Sequence, residues 1–141
     1  MYNLTKKIRF ESAHRLAKGY EGKCKNIHGH SWNGTIGVDV EMRDQFDFGI
    51  DFSDLKRIGK IVEDLFDHKI LLYEKDTDII ELCQRNGWEY FVFKSNPTCE
   101  TIAEFVYDIL ESELREKYSN VVFASFVTIE ETCTTSCTYK K

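Results

Sequence analysis

The feature of this sequence that most constrains its fold is a long alternation of side chains that begins at a pair of histidines. Between residues 28 and 40, histidine and apolar side chains occupy most even positions, and polar side chains or glycine occupy the odd positions. Successive side chains of a β-strand point to opposite faces of a sheet, so this alternation predicts a strand with one buried face. His28 and His30 begin that face, and we expect both imidazoles at the rim of the core.

A second strand is predicted upstream, over residues 2–14, because apolar side chains recur at even positions and lead to His14. If the two strands form an antiparallel pair, joined through the loop that contains Cys24, then His14, His28 and His30 can meet around one metal ion. Three neutral nitrogen ligands with an open fourth position are typical of catalytic zinc, whereas structural zinc sites close with four protein ligands. The alternative is a His-x-His pair that binds no metal; the third histidine and the nearby cysteine favour the metal site.

Two helices are predicted from apolar side chains at helical spacing. The first covers residues 54–66, with Ser53 as its N-cap, and it ends at Asp67-His68. The second opens at Asn96-Pro97-Thr98, because proline is tolerated in the first turn of a helix, and it runs to about Lys117. Both helices have one apolar stripe, so we expect both to pack on the same face of a sheet.

The remaining segments complete an α+β domain over residues 1–141. The order ββααββ predicts an antiparallel four-stranded sheet with two helices on one face. The less regular stretch between the two helices predicts only a short helix and a short strand. The short helix is expected over 78–85 and the short strand over 88–93. After a helix break at Ser119-Asn120, a third strand is expected from Val121, with Phe123, Val127 and Ile129 on its buried face. A last strand is expected over 137–141.

Composition argues against two broad classes of partner. The chain has 141 residues and a net charge of -5, which argues against a general nucleic-acid-binding protein. No apolar run approaches the roughly 18 residues needed to cross a bilayer, so no membrane partner is expected. The first residues alternate polar and apolar side chains and do not resemble a signal peptide. Five cysteines, an odd number without a secretory context, favour reduced thiols and a cytoplasmic protein.

Two acidic residues near the end of the third strand compete for a role in the site. Glu131 follows apolar residues of the same parity, so its carboxylate either reaches water at the strand end or faces a ligand in the cavity. Parity favours the cavity, and Glu130, on the opposite face, is the rival. Cys133 and Cys137 have the spacing of half a metal site, but soft thiolate sites usually need four ligands, so we interpret these two cysteines as structural.

Several ordered segments of the chain match one known family. In these segments the sequence resembles the 6-pyruvoyltetrahydropterin synthase superfamily. The spacing Cys-x-x-x-His-Gly-His and the ending Glu-Thr-Cys-Thr are similar to its bacterial 6-carboxytetrahydropterin synthase branch. The chain departs from the family pattern at residues 46–50, where Phe-Asp-Phe-Gly-Ile replaces a run of small apolar residues. The matching segments are residues 10–16, 24–30, 51–52 with 55–56, 65–68, 96–98 with Glu100, and 131–134.

The resemblance implies a fold, a cofactor and a role for each site residue. The implied fold is the tunnelling fold, or T-fold, in which subunits join into an oligomeric β-barrel. The implied assembly is a homohexamer, a dimer of trimers, with sites at subunit interfaces, and the implied cofactor is Zn²⁺. By this resemblance His14, His28 and His30 hold the zinc, Cys24 is the general base, Asp67 and His68 form a proton relay, and Glu131 anchors the pterin ring. Thr98 and Glu100 border the pterin pocket without a catalytic role.

The implied reaction is the zinc-dependent conversion of 7,8-dihydroneopterin triphosphate to 6-carboxy-5,6,7,8-tetrahydropterin. Acetaldehyde and triphosphate are released, and the product serves the biosynthesis of queuosine and related deazapurines. Two alternatives stay open: the 6-pyruvoyltetrahydropterin synthase reaction on the same substrate, and a non-catalytic module that binds zinc or pterin. The short cysteine spacing disfavours the first, and the presence of a base with a proton relay disfavours the second. Candidates for binding the triphosphate are Arg15, Lys18, Lys23 and Lys25, with surface solvation as the default interpretation of each.

Overall fold

Two long antiparallel strands form the centre of a six-stranded mixed sheet in this protein. The computed structural model describes residues 1–17, 19–118 and 120–141. The strand order is β4-β3-β1-β2-β5-β6; β3 pairs in parallel with both β1 and β4, and the other neighbours are antiparallel. The elements are β1 (Tyr2–His14), β2 (His28–Val40), α1 (Phe52–Phe66), β3 (Lys69–Tyr73), α2 (Thr77–Asn86), β4 (Tyr90–Phe93), α3 (Cys99–Lys117), β5 (Val122–Thr132) and β6 (Thr135–Tyr139).

The pairing of β1 with β2 is the one that the alternation predicts. The register is continuous from Tyr2 opposite Val40 to His14 opposite His28. The even positions of both strands face the core, and Phe10 and Trp32 are fully buried and stacked with their ring centroids 5.9 Å apart. The histidines occupy even positions at the ends of these strands, so they lie on the same face as the core residues, at the rim of the core.

The core lies between this face of the sheet and the two long helices, which confirms the α+β class. Helix α1 buries Leu55, Ile58 and Val62, and α3 buries an equivalent stripe that includes Val106 and Leu110. The N-caps differ in how well the sequence predicted them. Thr98 caps α3 by accepting a hydrogen bond from the Thr101 amide at 3.3 Å, so Pro97 precedes the cap and does not lie in the first turn as expected.

The cap of α1 and the number of elements differ from the sequence-based expectations. Asp51, not Ser53, caps α1, and its carboxylate accepts the Ser53 amide at 2.7 Å. The expected four-stranded antiparallel sheet with two helices is wrong, because β3, α2 and β4 add a parallel extension to the sheet. Helix α2 agrees with the predicted short helix and ends at Gly87, whose φ of 68° is a left-handed conformation that suits glycine.

A bulge in β5 corrects the predicted buried face of that strand. The pairing with β2 shifts between Gly37 and Val38, which face Phe126 and Ala124, so Ser125 is an extra residue. The extra residue reverses the parity on its N-terminal side. As a result Phe123, predicted to be buried, is 42% exposed, while Val127 and Ile129 are buried as predicted.

Two earlier assignments involve residues outside the described ranges. Lys18, a candidate for binding the triphosphate, and Ser119, part of the expected helix break, both fall there. Among the helices that the structure describes, none combines the length and the apolar character of a membrane span.

Candidate active site

The three histidines predicted as metal ligands come together at the end of the β1–β2 pair. One ligand atom from each of His14, His28 and His30 lies within 4.8 Å of the others. The ring centroids are 4.6 to 5.1 Å apart. Cross-strand pairing of His14 with His28, and the position of His30 two residues further along the same face, produce this arrangement.

Backbone carbonyl groups orient two of the three imidazoles. The Nδ1 atom of His14 donates to the Pro97 carbonyl at 2.7 Å, and the Nδ1 atom of His28 donates to the Asn26 carbonyl at 2.7 Å. A carbonyl oxygen only accepts, so each of these rings carries its proton on Nδ1 and presents the lone pair of Nε2. Histidine ligands of metals are usually held in this way by an outer hydrogen-bond acceptor.

The inward-facing nitrogens have the properties that a metal site needs. Within the described residues, the Nε2 atoms of His14 and His30 are buried and have no hydrogen-bond partner. Buried polar atoms are nearly always satisfied, so two orphaned nitrogens at one point require an explanation. Burial also lowers the pKa of both imidazoles, which favours the neutral form that ligates metals. This cluster could hold a metal ion, and its donor set fits zinc among other transition metals.

A cleft of about 260 Å³ opens beside the histidines. It is lined by His14 and by five other residues that the sequence singled out: Cys24, Thr98, Glu100, Glu131 and Cys137. Cys24 lies in a short 3-10 helix and is half-buried. Its carbonyl accepts the Leu16 amide at 2.7 Å, which ties this turn to the end of β1. A thiol, a carboxylate and the histidine cluster therefore border the same small volume.

Glu131 faces the histidines, as its parity predicts. Its Oε1 atom lies 3.4 Å from Nε2 of His30, and its Oε2 atom lies 3.9 Å from Nε2 of His14. Glu130 pairs with Asn33 of β2 and belongs to the opposite face of the strand. Of these two competing carboxylates, Glu131 is the one that lines the cleft, together with Glu100 at the start of α3.

Comparisons with known proteins agree with this arrangement. A sequence profile of the family described as 6-pyruvoyl tetrahydropterin synthase matches residues 3–141. The chain is 32% identical over 151 aligned positions to the 6-carboxy-5,6,7,8-tetrahydropterin synthase of Haemophilus influenzae, and the alignment covers 100% of both proteins. The chain belongs to the 6-pyruvoyl tetrahydropterin synthase family.

Solved structures show the same fold. The 6-pyruvoyl tetrahydropterin synthase of Caenorhabditis elegans is 26% identical, with a TM-score of 0.74 over 99% of this chain and 95% of that one. An uncharacterized protein of Wolinella succinogenes is 17% identical, with a TM-score of 0.81 over 99% and 98% of the two chains. The T-fold implied by the sequence segments is therefore confirmed for the chain, while its assembly into a barrel and a hexamer stays a prediction.

In this member of the family the Asp67-His68 pair lies apart from the cleft. Nδ1 of His68 donates to Asp67 at 2.8 Å, and Asp67 in turn accepts the Glu11 amide at 2.9 Å. His68 borders a second depression, whose lining includes Glu11 and Ser31 and also the candidate ligand His30. Within the described residues of one chain, the structure does not bring this pair together with Cys24.

Two further thiols border the cleft that contains Cys24. Burial raises the pKa of the Cys99 thiol to about 11, and burial also raises the pKa of Cys137. Both therefore stay protonated near neutral pH and are poor bases. Cys83 is buried in α2, and Cys133 is exposed at the β5–β6 turn. Position, burial and pKa together leave Cys24 as the thiol best placed for chemistry.

One candidate for triphosphate binding is already engaged elsewhere. Nε of Arg15 donates to Asp76 at 2.7 Å, and Nη2 donates to the second oxygen of the same carboxylate at 2.5 Å. The Asp76 side chain is only 3% exposed, so the guanidinium neutralises a buried charge. Nothing in the local pattern indicates this pair, because its members are 61 residues apart. Lys23 and Lys25 are exposed.

Proposed function

We propose that this protein is a zinc-dependent 6-carboxytetrahydropterin synthase. The substrates in this proposal are 7,8-dihydroneopterin triphosphate and one molecule of water, and the products are 6-carboxy-5,6,7,8-tetrahydropterin, acetaldehyde and triphosphate. The observation that carries the proposal is the shared cleft of His14, Cys24 and Glu131, in a chain that aligns from end to end with a relative of that name. A structural zinc site keeps four protein ligands at all times, whereas a catalytic site opens one position to the substrate.

The histidines of the site hold the metal in this proposal. His14, His28 and His30 are the ligands, and their carbonyl partners keep the rings in the ligating tautomer. A bound zinc ion supplies Lewis-acid chemistry, which polarises the side-chain oxygens of the substrate and acidifies the neighbouring C–H bonds.

Cys24 is the proposed general base. A thiol ionises near pH ~8.5 when free, and a cation nearby favours its thiolate form. Its position beside His14 puts it within the same cleft as the reacting side chain of the substrate. The thiolate accepts a proton from carbon and returns it at the neighbouring carbon, and positioned proton transfer of this kind contributes about 10²–10⁴-fold in rate.

Glu131 and Thr98 are the proposed pterin contacts. An ionised carboxylate only accepts hydrogen bonds, and the amino-pyrimidine edge of a pterin offers two donors side by side. The hydroxyl of Thr98 also caps α3, which holds this proposed contact in the cleft wall at the start of the helix.

Asp67 and His68 would complete the proton relay in an oligomer. Because His68 borders a depression other than the cleft of Cys24 within one chain, and Asp67 is hydrogen-bonded to it, we infer that the pair serves a site formed with a neighbouring subunit. The hydrogen bond that Nδ1 of His68 donates to Asp67 orients the ring and holds it in one tautomer. A homohexamer, action in the cytoplasm and a place in queuosine biosynthesis belong to the same proposal by family resemblance.

The thiol assignment is tested with Cys24→Ala, and Cys133→Ala is the matched control because Cys133 is exposed and lies outside the cleft. We expect Cys24→Ala to lose at least about 10²-fold in kcat for acetaldehyde release while it keeps one zinc per chain. The control should retain wild-type turnover. Full turnover by zinc-loaded Cys24→Ala would refute the role of this thiol.

A further inference from the structure

The carboxylate of Glu131 lies close to two histidine nitrogens that have no hydrogen-bond partner among the described residues. Glu131 approaches Nε2 of His30 at 3.4 Å and Nε2 of His14 at 3.9 Å, and its side chain is 27% exposed. Both nitrogens are buried, and neither has a hydrogen-bond partner among the described residues. The two carboxylate oxygens of Glu131 therefore each face one histidine nitrogen, Oε1 that of His30 and Oε2 that of His14, without a direct hydrogen bond.

The size of that gap matches a shared metal ion better than a hydrogen bond. Direct N–H···O bonds in proteins measure about 2.7–3.2 Å. Two ligand atoms that each lie about 2.0–2.2 Å from a tetrahedral zinc ion are separated by roughly 3.3–3.5 Å. The distance between Glu131 and His30, 3.4 Å, falls in the second range. The longer distance to His14 leaves the carboxylate closer to one side of the cluster.

The strand that carries Glu131 is built to direct its side chain inward. On β6, Ser136 pairs with Glu130 and Thr135 pairs with Thr132, so Glu131 is the extra residue of a bulge between these pairs. Bulges next to active sites often re-aim a side chain. Ile129, two residues earlier, is fully buried on the same face, which fixes the direction of the strand below the carboxylate.

We propose that Glu131 is the fourth ligand of the metal when no pterin is bound, and that it leaves the metal to bind the pterin. The inference rests on the proposed function for the identity of the second partner. Carboxylate oxygen is an ordinary zinc ligand, and its negative charge stabilises a dication held otherwise by neutral imidazoles. Binding of the pterin ring to Glu131 then opens the fourth position, so that the metal becomes accessible only once substrate is present.

This exchange makes metal binding and pterin binding oppose each other through one side chain. Thermodynamic linkage requires that a bound pterin lower the affinity for the metal by the same factor by which the bound metal lowers the affinity for that pterin. The effect is visible only with a pterin that cannot ligate the metal through side-chain oxygens. A suitable probe is 6-methylpterin, which keeps the amino-pyrimidine edge and lacks those oxygens.

The test uses protein loaded with Co²⁺, whose visible absorption reports the ligands and geometry of the metal. We compare wild type, Glu131→Gln and the matched control Glu130→Gln, which changes the neighbouring carboxylate on the opposite face. We expect the Co²⁺ spectrum of Glu131→Gln to differ from the other two, and its zinc affinity to fall by about 10–100-fold in competition with a chelator. Addition of 6-methylpterin to the wild type should shift its spectrum towards that of Glu131→Gln.

Three outcomes separate the inference from the function on which it rests. If wild type and Glu131→Gln give the same spectrum and zinc affinity, Glu131 is not a ligand, even if the variant loses pterin binding. If 6-methylpterin binds the wild type without changing the spectrum, the exchange is refuted, and this measurement needs no variant. If the spectra behave as expected while the wild type does not turn over 7,8-dihydroneopterin triphosphate, the ligand is supported and the proposed reaction fails.

Discussion

Replacement of Arg15 by methionine should destabilise the protein rather than weaken substrate binding. The guanidinium of Arg15 makes two hydrogen bonds to Asp76, at 2.7 and 2.5 Å, and this carboxylate is 3% exposed. Methionine retains most of the length of the side chain but leaves the carboxylate buried without its cation. The loss therefore combines two charge-assisted hydrogen bonds with the cost of an uncompensated buried charge.

The size of the effect follows from the burial of both partners. Removal of one partner from a buried ion pair costs about 3–5 kcal/mol. Because the Arg15 side chain is 25% exposed, water can reach the site, and we expect the lower end, about 3 kcal/mol. With an m-value near ~2 kcal/mol/M, the midpoint of urea unfolding should fall by about 1.5 M.

A double variant and a kinetic measurement make the result decisive. Arg15→Met with Asp76→Asn removes the unpaired charge, so it should recover at least about half of the lost free energy of unfolding. All samples are compared at one protein concentration, because oligomers unfold in a concentration-dependent way. An unchanged urea midpoint, together with a KM for the triphosphate substrate raised about tenfold or more, would show that Arg15 binds phosphate and would refute the reasoning from its ion pair.

Two further predictions concern stability. Burial and the hydrogen bond that its hydroxyl donates to Asp54 raise the pKa of Tyr118 to about 12. The stability that this group contributes is complete below the unfolded pKa near ~10 and is lost as the pH rises through the folded pKa. Over that range the wild type should lose about 2 kcal/mol of unfolding free energy that Tyr118→Phe does not lose. If the urea midpoints of the two proteins fall equally with pH, the prediction is wrong. In Gly34→Ala the new methyl would lie 2.8 Å from a carbon of Ile8, so we expect a loss of about 1–3 kcal/mol, and an unchanged thermal midpoint would show that the contact relaxes.

The sequence predicted best those elements in which one periodicity persists. Strands β1 and β2 alternate over 13 residues each, and the structure reproduces their buried faces. Helices α1 and α3 span 15 and 19 residues with one apolar stripe each, long enough for the pattern to be unambiguous. Strand β3 was missed because Ile70, Leu71 and Leu72 are a continuous apolar run. Parallel strands typically have continuous apolar sequences because both of their faces are covered, and here Leu71 and Leu72 are fully buried.

Local irregularity accounts for the other errors in the fold. A single extra residue, Ser125, reverses the parity of the start of β5, so Phe123 was assigned to the wrong face. Side-chain alternation cannot reveal a bulge, because the pattern on either side of it remains regular. Asp51 and Ser53 are both good capping residues, and only the first helical residue decides between them.

The histidine cluster could be predicted because all of its members lie on two adjacent strands, where parity determines direction. The remaining contacts of the site are long-range and leave no periodic signal. The bond from His14 to Pro97 joins residues 83 apart. Parity does place Glu131 on the face of the histidines, but the bulge at Glu131 is not visible in the sequence. The separation of Asp67 from the cleft of Cys24 was likewise invisible in the sequence, because it depends on which face of the sheet each residue borders.

Product analysis on the wild-type protein tests the central claim most directly. Protein loaded with one zinc ion per chain is incubated with 7,8-dihydroneopterin triphosphate, and the products are identified by mass spectrometry. We expect 6-carboxy-5,6,7,8-tetrahydropterin together with acetaldehyde. A 6-pyruvoyl product would contradict the branch assigned from the spacing of Cys24 and the histidines, and the absence of any turnover with zinc and pterin both bound would contradict the proposal that the protein is an enzyme.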